Sequence, residues 1–241
     1  MALLAFISDE NFLLEVERVI DVAIRAKQEA SQGFGRNVID PFAALFEMSG
    51  FGIEHNHWKD SEMVRQSQKT LQNHIGYFHQ QMLGHVQGWE NLGVGSEVDL
   101  INTDQKIIAE VKNKYSTVTG GKLKDVYSEL ENLVMPKASR FKGFTAYFVN
   151  VIPKTTARFD TVFTPSDKAS GRRCADNVLI RLIDGASFYH VVTGRENALS
   201  ELFYALPEAI RLVCANKLGA RAFSKEDIDV LREYFVAAYG G

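Results

Sequence analysis

The run Phe144-Thr-Ala-Tyr-Phe-Val-Asn-Val-Ile152 constrains the fold of this chain more than any other stretch. Its apolar residues occupy both parities of a strand, so both faces must be covered, as happens in a sheet with helices above and below. Upstream, Leu123, Val126, Tyr127, Leu130 and Val134 recur at helical spacing and predict a helix over 122–134, which Pro136 ends. Before that helix the period changes to two. Val98 to Asn102 predicts one strand, Thr103 to Gln105 a tight polar turn, and Lys106 to Lys112 a second strand antiparallel to the first. Hairpin, helix and strand thus follow in this order, and the last needs cover on both faces.

Alternation along the second strand puts Ile107, Ala109 and Val111 on one face and Ile108, Glu110 and Lys112 on the other. Asp99, on the neighbouring strand, brings a second carboxylate to the Glu110–Lys112 pair. Two hard oxygen ligands beside an ammonium suit magnesium, which is usually held by one or two carboxylates together with waters and phosphate oxygens. The Val111 carbonyl is a candidate third ligand. The metal would acidify a water and offset charge on a phosphate, and Lys112 would orient that water or offset the same charge. The reaction assembled is phosphodiester hydrolysis; the alternative is a charged hairpin with an Asp and a Glu-x-Lys by chance.

Asp99 followed by Glu110-Val111-Lys112 resembles the PD-(D/E)XK nuclease signature, with Val98 where that superfamily's weakly kept proline would stand. Three longer phrases, Asn37-Val-Ile-Asp-Pro-Phe-Ala-Ala-Leu-Phe-Glu47, Ala109-Glu-Val-Lys-Asn-Lys-Tyr115 and Asp184-Gly-Ala-Ser-Phe-Tyr-His-Val-Val-Thr-Gly194, resemble type II restriction endonucleases, in particular the group that cuts GGNCC sites. Hairpin, helix and strand in this order match the common core of these nucleases, so the resemblance implies an α/β fold with a mixed central sheet flanked by helices, a PD-(D/E)XK core with extra N- and C-terminal helices, Mg2+ as cofactor, and sequence-specific cleavage of double-stranded DNA. It also implies Asp99 and Glu110 as metal ligands, Lys112 as a catalytic residue, and Glu47, from an early helix, as a further ligand. For Glu47 the alternative is a solvated helix carboxylate. Asn113 and Lys114 are expected to touch the DNA backbone. A homodimer is expected because a symmetric duplex site is most simply cut by a two-fold protein. Two other readings stay open: a structure-selective repair or recombination nuclease of the same superfamily, and a catalytically idle DNA-binding module.

With 241 residues, 46% of them hydrophobic, the chain can bury one sizeable core. A single nuclease domain over 1–241 is expected, with a helical part over 1–90, a catalytic core over 91–152, and a DNA-reading and C-terminal helical part over 153–241. The net charge of −3 carries no global signal for nucleic acid, so any basic cleft must be offset by acidic residues elsewhere. Cys174 and Cys214 lack metal-ligand spacing and fit free thiols in a reducing, cytoplasmic setting. The opening Met-Ala-Leu-Leu-Ala-Phe-Ile is a poor signal peptide, and no apolar run reaches membrane-spanning length. Thr119-Gly-Gly-Lys122 lacks the first glycine and the trailing Ser or Thr of a phosphate loop, which excludes a nucleotide cofactor there.

In chain order, Ser8-Asp-Glu10 starts a packing helix that continues to about Ala30, and Asp40-Pro41 opens a second in which Phe42, Leu45 and Phe46 are expected to pack. His55-Asn-His57 superficially suits an HNH nuclease, but the following Trp58-Lys-Asp60 reads as loop. Ser61 to Leu83 predicts a long helix whose outer faces carry Arg65, Lys69 and many amides, and no carboxylate after Glu62. Such a surface suits phosphates and base edges, or is an ordinary soluble face. Lys154, Arg158, Lys168, Arg172 and Arg173 crowd the segment 154–173, around a short strand over 159–163, and are candidates for reading bases; the alternative is a mobile surface loop. A strand over 177–184 and helices over 186–193, 196–206, 207–216 and 225–239 are expected to close the chain.

Overall fold

A computed structural model describes residues 2–34, 38–167, 169–215, 217 and 223–240; Asn37 and Lys168 lie outside the described residues. Three helices lead the chain: α1 (Asp9–Gln32), α2 (Pro41–Phe51) and α3 (His55–Gly84). Then come β1 (Glu90–Asn91), β2 (Leu100–Asn102), β3 (Ile107–Lys114), α4 (Leu123–Val134), β4 (Thr145–Ile152), β5 (Asp160–Val162), β6 (Ser166–Asp167), β7 (Arg172–Arg173) and β8 (Ile180–Asp184). Helices α5 (Gly185–Thr193), α6 (Ala198–Ala215) and α7 (Lys225–Tyr239) follow.

The main sheet has the order β1-β2-β3-β4-β8-β5. It is mixed: β2 and β3 form the antiparallel hairpin, with Leu100 opposite Ala109, whereas β3, β4 and β8 run parallel and β5 returns antiparallel on β8. Every residue of β4 from Ala146 to Val151 is buried, because each parity of the apolar run has its own layer. Tyr147, Val149 and Val151 join Phe12 of α1, Met82 of α3, Phe188 of α5 and Leu202 of α6. Ala146 and Phe148 join Ile108, Ile180 and the α4 stripe of Tyr127, Leu130 and Val134. Complete burial of a side chain such as Phe12 or Phe148 contributes about 1.5–3 kcal/mol.

Two local features fix the layers. Chain direction reverses from β8 into α5 without a loop: a Cβ at Gly185 would stand 2.3 Å from the Val151 carbonyl oxygen, so only glycine lets α5 press onto β4. The preceding Asp184 accepts from the Ser187 backbone N–H at 2.9 Å, capping α5, and from the Phe159 N–H at 2.7 Å. Within the same layer, buried Glu15 of α1 accepts from Arg18 at 2.7 Å and contacts His85, just past α3, at 2.9 Å.

Several sequence expectations are corrected. The hairpin turn takes in Lys106, the one non-glycine with positive φ (54°) among the described residues, so β3 begins at Ile107, and it continues past Lys112 to Lys114 along β4. Helix α3 starts at His55: Trp58-Lys-Asp60 is helix, because Trp58 is buried and its Nε1 donates to Glu47 at 2.8 Å. Helix α6 passes through Pro207 without a break. Leu199, Leu202, Ala209 and Cys214 are buried on both sides of the proline, and that burial outweighs the hydrogen bond it cannot donate. Phe42, Leu45 and Phe46 do not pack, being 73%, 64% and 77% exposed. Cys174 and Cys214 are free thiols, as expected.

Candidate active site

The site forms where the hairpin runs out of ladder. Beyond the Leu100–Ala109 pair, the Asp99 N–H still donates to the Ala109 carbonyl at 3.1 Å, and the Asp99 side chain turns across to β3, where its Oδ2 accepts from the Val111 N–H at 2.7 Å. A backbone donor that pairing would otherwise satisfy thus aims a carboxylate. On β3, Lys112 Nζ donates to Glu110 Oε1 at 2.5 Å, as expected of residues two apart on a strand. Both side chains are about a quarter exposed, so the pair is open to a ligand.

Electrostatics couple the three groups. Burial, helped by the negative charge of Glu110, pushes the Asp99 carboxyl up to about 6 against the opposing pull of the Val111 N–H, Lys112 and Gln80. For Lys112, burial is the largest single influence and disfavours the ammonium, but the Glu110 hydrogen bond and the charges of Glu110, Asp99 and Glu129 together outweigh it, and its pKa is raised. Lys112 is therefore a cation at neutral pH. Two adjacent carboxylates, one of them resisting ionisation, form a place where a further cation would be favoured.

Gln80 and Glu129 are the members that sequence reasoning missed. Gln80 of α3 donates from Nε2 to the Val111 carbonyl at 3.3 Å, which engages the oxygen considered above as a third ligand. Glu129 of α4 acts on Lys112 through space. Both reach the site from elements remote in the chain, and neither sits in a local motif. Asn150 stands beside Lys112 in the β3–β4 register, is 7% exposed, and has no hydrogen-bond partner for its Oδ1.

The other candidates are placed as follows. Glu47 is not brought to the site. It accepts from Trp58, about six turns before Gln80 on α3 and roughly 33 Å away along the helix axis. Asn113 follows the strand alternation to the opposite face, where its Cβ lies against Gly76 of α3, whereas Lys114 is exposed at the end of β3. Arg65 is held by Glu62 through two hydrogen bonds of 2.6 and 2.8 Å, and Lys69 is exposed. Lys154 is exposed, and Arg158 donates to the Glu196 carbonyl at 2.9 Å. Arg172 and Arg173 are exposed on β7 of the small β6–β7 hairpin, which Lys124 of α4 ties down through Asp167 at 2.9 Å. The Lys124 and Ser170 hydrogen bonds hold the Asp167 carboxyl down at about 2.

Fold and site together define the class: an α/β protein whose mixed sheet delivers two carboxylates and a lysine to one point. Comparison with known proteins narrows it. The family model described as Eco47II restriction endonuclease matches residues 4–215. The chain is 55% identical over 240 residues to the type II restriction enzyme Eco47II of Escherichia coli, covering 100% of both chains. It is 29% identical over 216 residues to the type II restriction enzyme Sau96I of Staphylococcus aureus, covering 86% of this chain and 79% of that one. The chain belongs to the Eco47II restriction endonuclease family and is a type II restriction endonuclease, a site-specific deoxyribonuclease.

Proposed function

We propose that the enzyme hydrolyses phosphodiester bonds of double-stranded DNA at GGNCC sites with Mg2+ as cofactor, through a PD-(D/E)XK centre made of Asp99, Glu110 and Lys112. The observation that carries this is the convergence of the Asp99 carboxylate, aimed by the Val111 N–H, with the Glu110–Lys112 pair, in a chain 55% identical to a type II restriction enzyme. The donor set fits the metal. Among the described residues no group of three or more His, Cys, Asp or Glu gathers into a cage. A cation held by Asp99 and Glu110 would draw its other ligands from water and phosphate, which is magnesium's habit and not that of structural zinc. When bound, magnesium supplies charge neutralisation on the phosphate and a more acidic water.

The chain's own groups do the rest. Asp99 is oriented by the Val111 N–H, whose carbonyl Gln80 steadies in turn. Lys112 keeps its proton at neutral pH, so it acts as a fixed positive charge that orients water and offsets the charge developing on the phosphate, not as a base. Lys114 is exposed at the end of the same strand, within the backbone-contacting role proposed for it. Arg172 and Arg173, on the α4 side of the sheet with Glu110 and Lys112, are the best-placed candidates for reading guanine. The chain acts as one nuclease domain in the cytoplasm; among the described residues no helix is long and apolar enough to cross a membrane. Digestion of a long DNA of known sequence with Mg2+ tests the proposal. Discrete fragments whose ends all map to GGNCC are expected, and ends that map to another site, or to DNA structure, would reject that specificity.

A further inference from the structure

Helix α2 is inside out. Its half-buried positions are Ala44, Glu47 and Met48, and it has no fully buried residue. Its large apolar side chains face away from the protein: Phe42 is 73% exposed, Leu45 64%, Phe46 77% and Phe51 71%. Just before the helix, Val38 is fully exposed. With an aromatic side chain worth about 150–250 Å², the patch amounts to roughly 600 Å² of apolar surface. That is the upper end of what a soluble monomer shows, and most of the about 800 Å² that each partner of a standard interface buries.

The helix itself is not makeshift. Asp40 caps it through the Phe42 and Ala43 N–H groups at 2.9 and 3.1 Å, Pro41 fills its first turn, and Gly52 ends it in the left-handed conformation. It is anchored to α3 by the Trp58–Glu47 hydrogen bond, which also occupies the one carboxylate in the helix. A well-capped, anchored helix that turns its phenylalanines to water is built to be covered.

The chemistry of the patch selects what covers it. From Val38 to Glu54 there are three acids, Asp40, Glu47 and Glu54, and no lysine or arginine. Nucleic acid and anionic lipid are therefore disfavoured, since both are held by basic residues. We propose that the α2 face docks a second copy of this chain in a two-fold dimer. This rests on the reading that both strands of a duplex site are cut: each chain offers one Asp99–Glu110–Lys112 centre, and a two-fold pair offers two. Two of these carboxylates are already engaged within the chain, Asp40 at the helix N-terminus and Glu47 with Trp58, which eases a symmetric contact between like faces.

Sedimentation velocity of the metal-free protein over a dilution series tests this. The wild type should run at twice the 27.0 kDa chain mass. The double variant Phe42→Asp with Phe46→Asp should run at the chain mass with unchanged helical circular dichroism, its dissociation constant raised about a hundredfold or more. The control Val178→Asp, at a 72% exposed position away from α2, should remain dimeric. A wild type that stays monomeric, a dimer that survives the double variant, or association only with phosphatidylglycerol vesicles would each overturn the proposal. Should the double variant misfold, hydroxyl-radical footprinting of the wild type decides: Phe42 and Phe46 should be oxidised less as concentration rises, and unchanged oxidation overturns the dimer face. Cleavage is scored separately. A monomer that cuts removes the docking face and leaves the nuclease standing; an α2 dimer that cuts nothing does the reverse.

Discussion

At the scale of the residue, the site is a balance of three charges, and each can be removed on its own. Asp99→Ala or Glu110→Ala should abolish cleavage while leaving the fold intact, because each side chain is only partly buried and neither belongs to an apolar cluster. Calcium in place of magnesium should support DNA binding without rapid cutting; turnover retained in either variant sinks the assignment. Lys112→Ala should lose about a hundredfold or more in rate, the worth of one electrostatic stabiliser, and still bind DNA nearly normally in a filter or anisotropy assay. If cleavage persists and binding collapses, Lys112 is a phosphate clamp only. Two-residue alternation was enough to pair Glu110 with Lys112 from sequence, since a strand permits no other arrangement. The same rule, carried one residue further, would have sent Asn113 to the α3 face. Glu47 was drawn in by family resemblance alone, and the length of α3 keeps it away from the site.

At the scale of the element, β4 and α4 were legible because burial on both faces and a 3.6-residue stripe each leave an unambiguous mark. Helix α2 misled for a physical reason: an apolar helix face reads the same whether it meets the chain's own core or a partner. Pro207 misled because a proline's lost hydrogen bond is visible in sequence and the tertiary burial that compensates it is not. The donor-rich segment 154–173 resolves into the edge strand β5 of the main sheet and the β6–β7 hairpin, and its arginines divide. Arg158 donates to the Glu196 carbonyl and Arg173, through Nε, to the Thr164 carbonyl, both at 2.9 Å, so what separates them is place: Arg172 and Arg173 are exposed on a hairpin braced on α4. Arg172→Ala or Arg173→Ala should therefore cost about 1–3 kcal/mol on a cognate site in calcium and narrow its lead over single-mismatch sites. Arg158→Ala should change that ratio little. A mere phosphate contact would instead weaken all DNA alike and flatten the salt dependence. If neither hairpin variant moves the ratio, base reading belongs to another surface.

At the scale of the whole molecule, two groups held by different elements, His79 at the α3–α5 contact and Asp99 against β3, set opposing dependences of stability on pH. Part of His79 reaches the surface, but its Nδ1 faces inward onto the Tyr189 hydroxyl at 2.8 Å, between α3 and α5, and burial pulls its pKa down to about 4. Its folded value lies below the ordinary value near 6.5, so the unfolded chain takes up the proton first, and stability is full above about pH 6.5 and drains away toward pH 4. Asp99 has the opposite sign. Raised to about 6 chiefly by burial, it favours the folded state at low pH and loses that contribution as pH rises from its ordinary value near 3.8 through 6. Each effect is at most about 3 kcal/mol, and over much of the same window they offset each other. The pair can therefore be separated only by variants. Melting temperatures of the metal-free protein in EDTA, measured from neutral pH to about pH 4.5, should fall more steeply on acidification for Asp99→Asn than for the wild type. They should fall less steeply for His79→Gln, which keeps a partner for Tyr189 and removes the proton site. An unchanged slope for His79→Gln would mean that the imidazole is not held neutral at the α3–α5 contact, and a shallower slope for Asp99→Asn would mean that its carboxyl is ordinarily ionised in the folded chain.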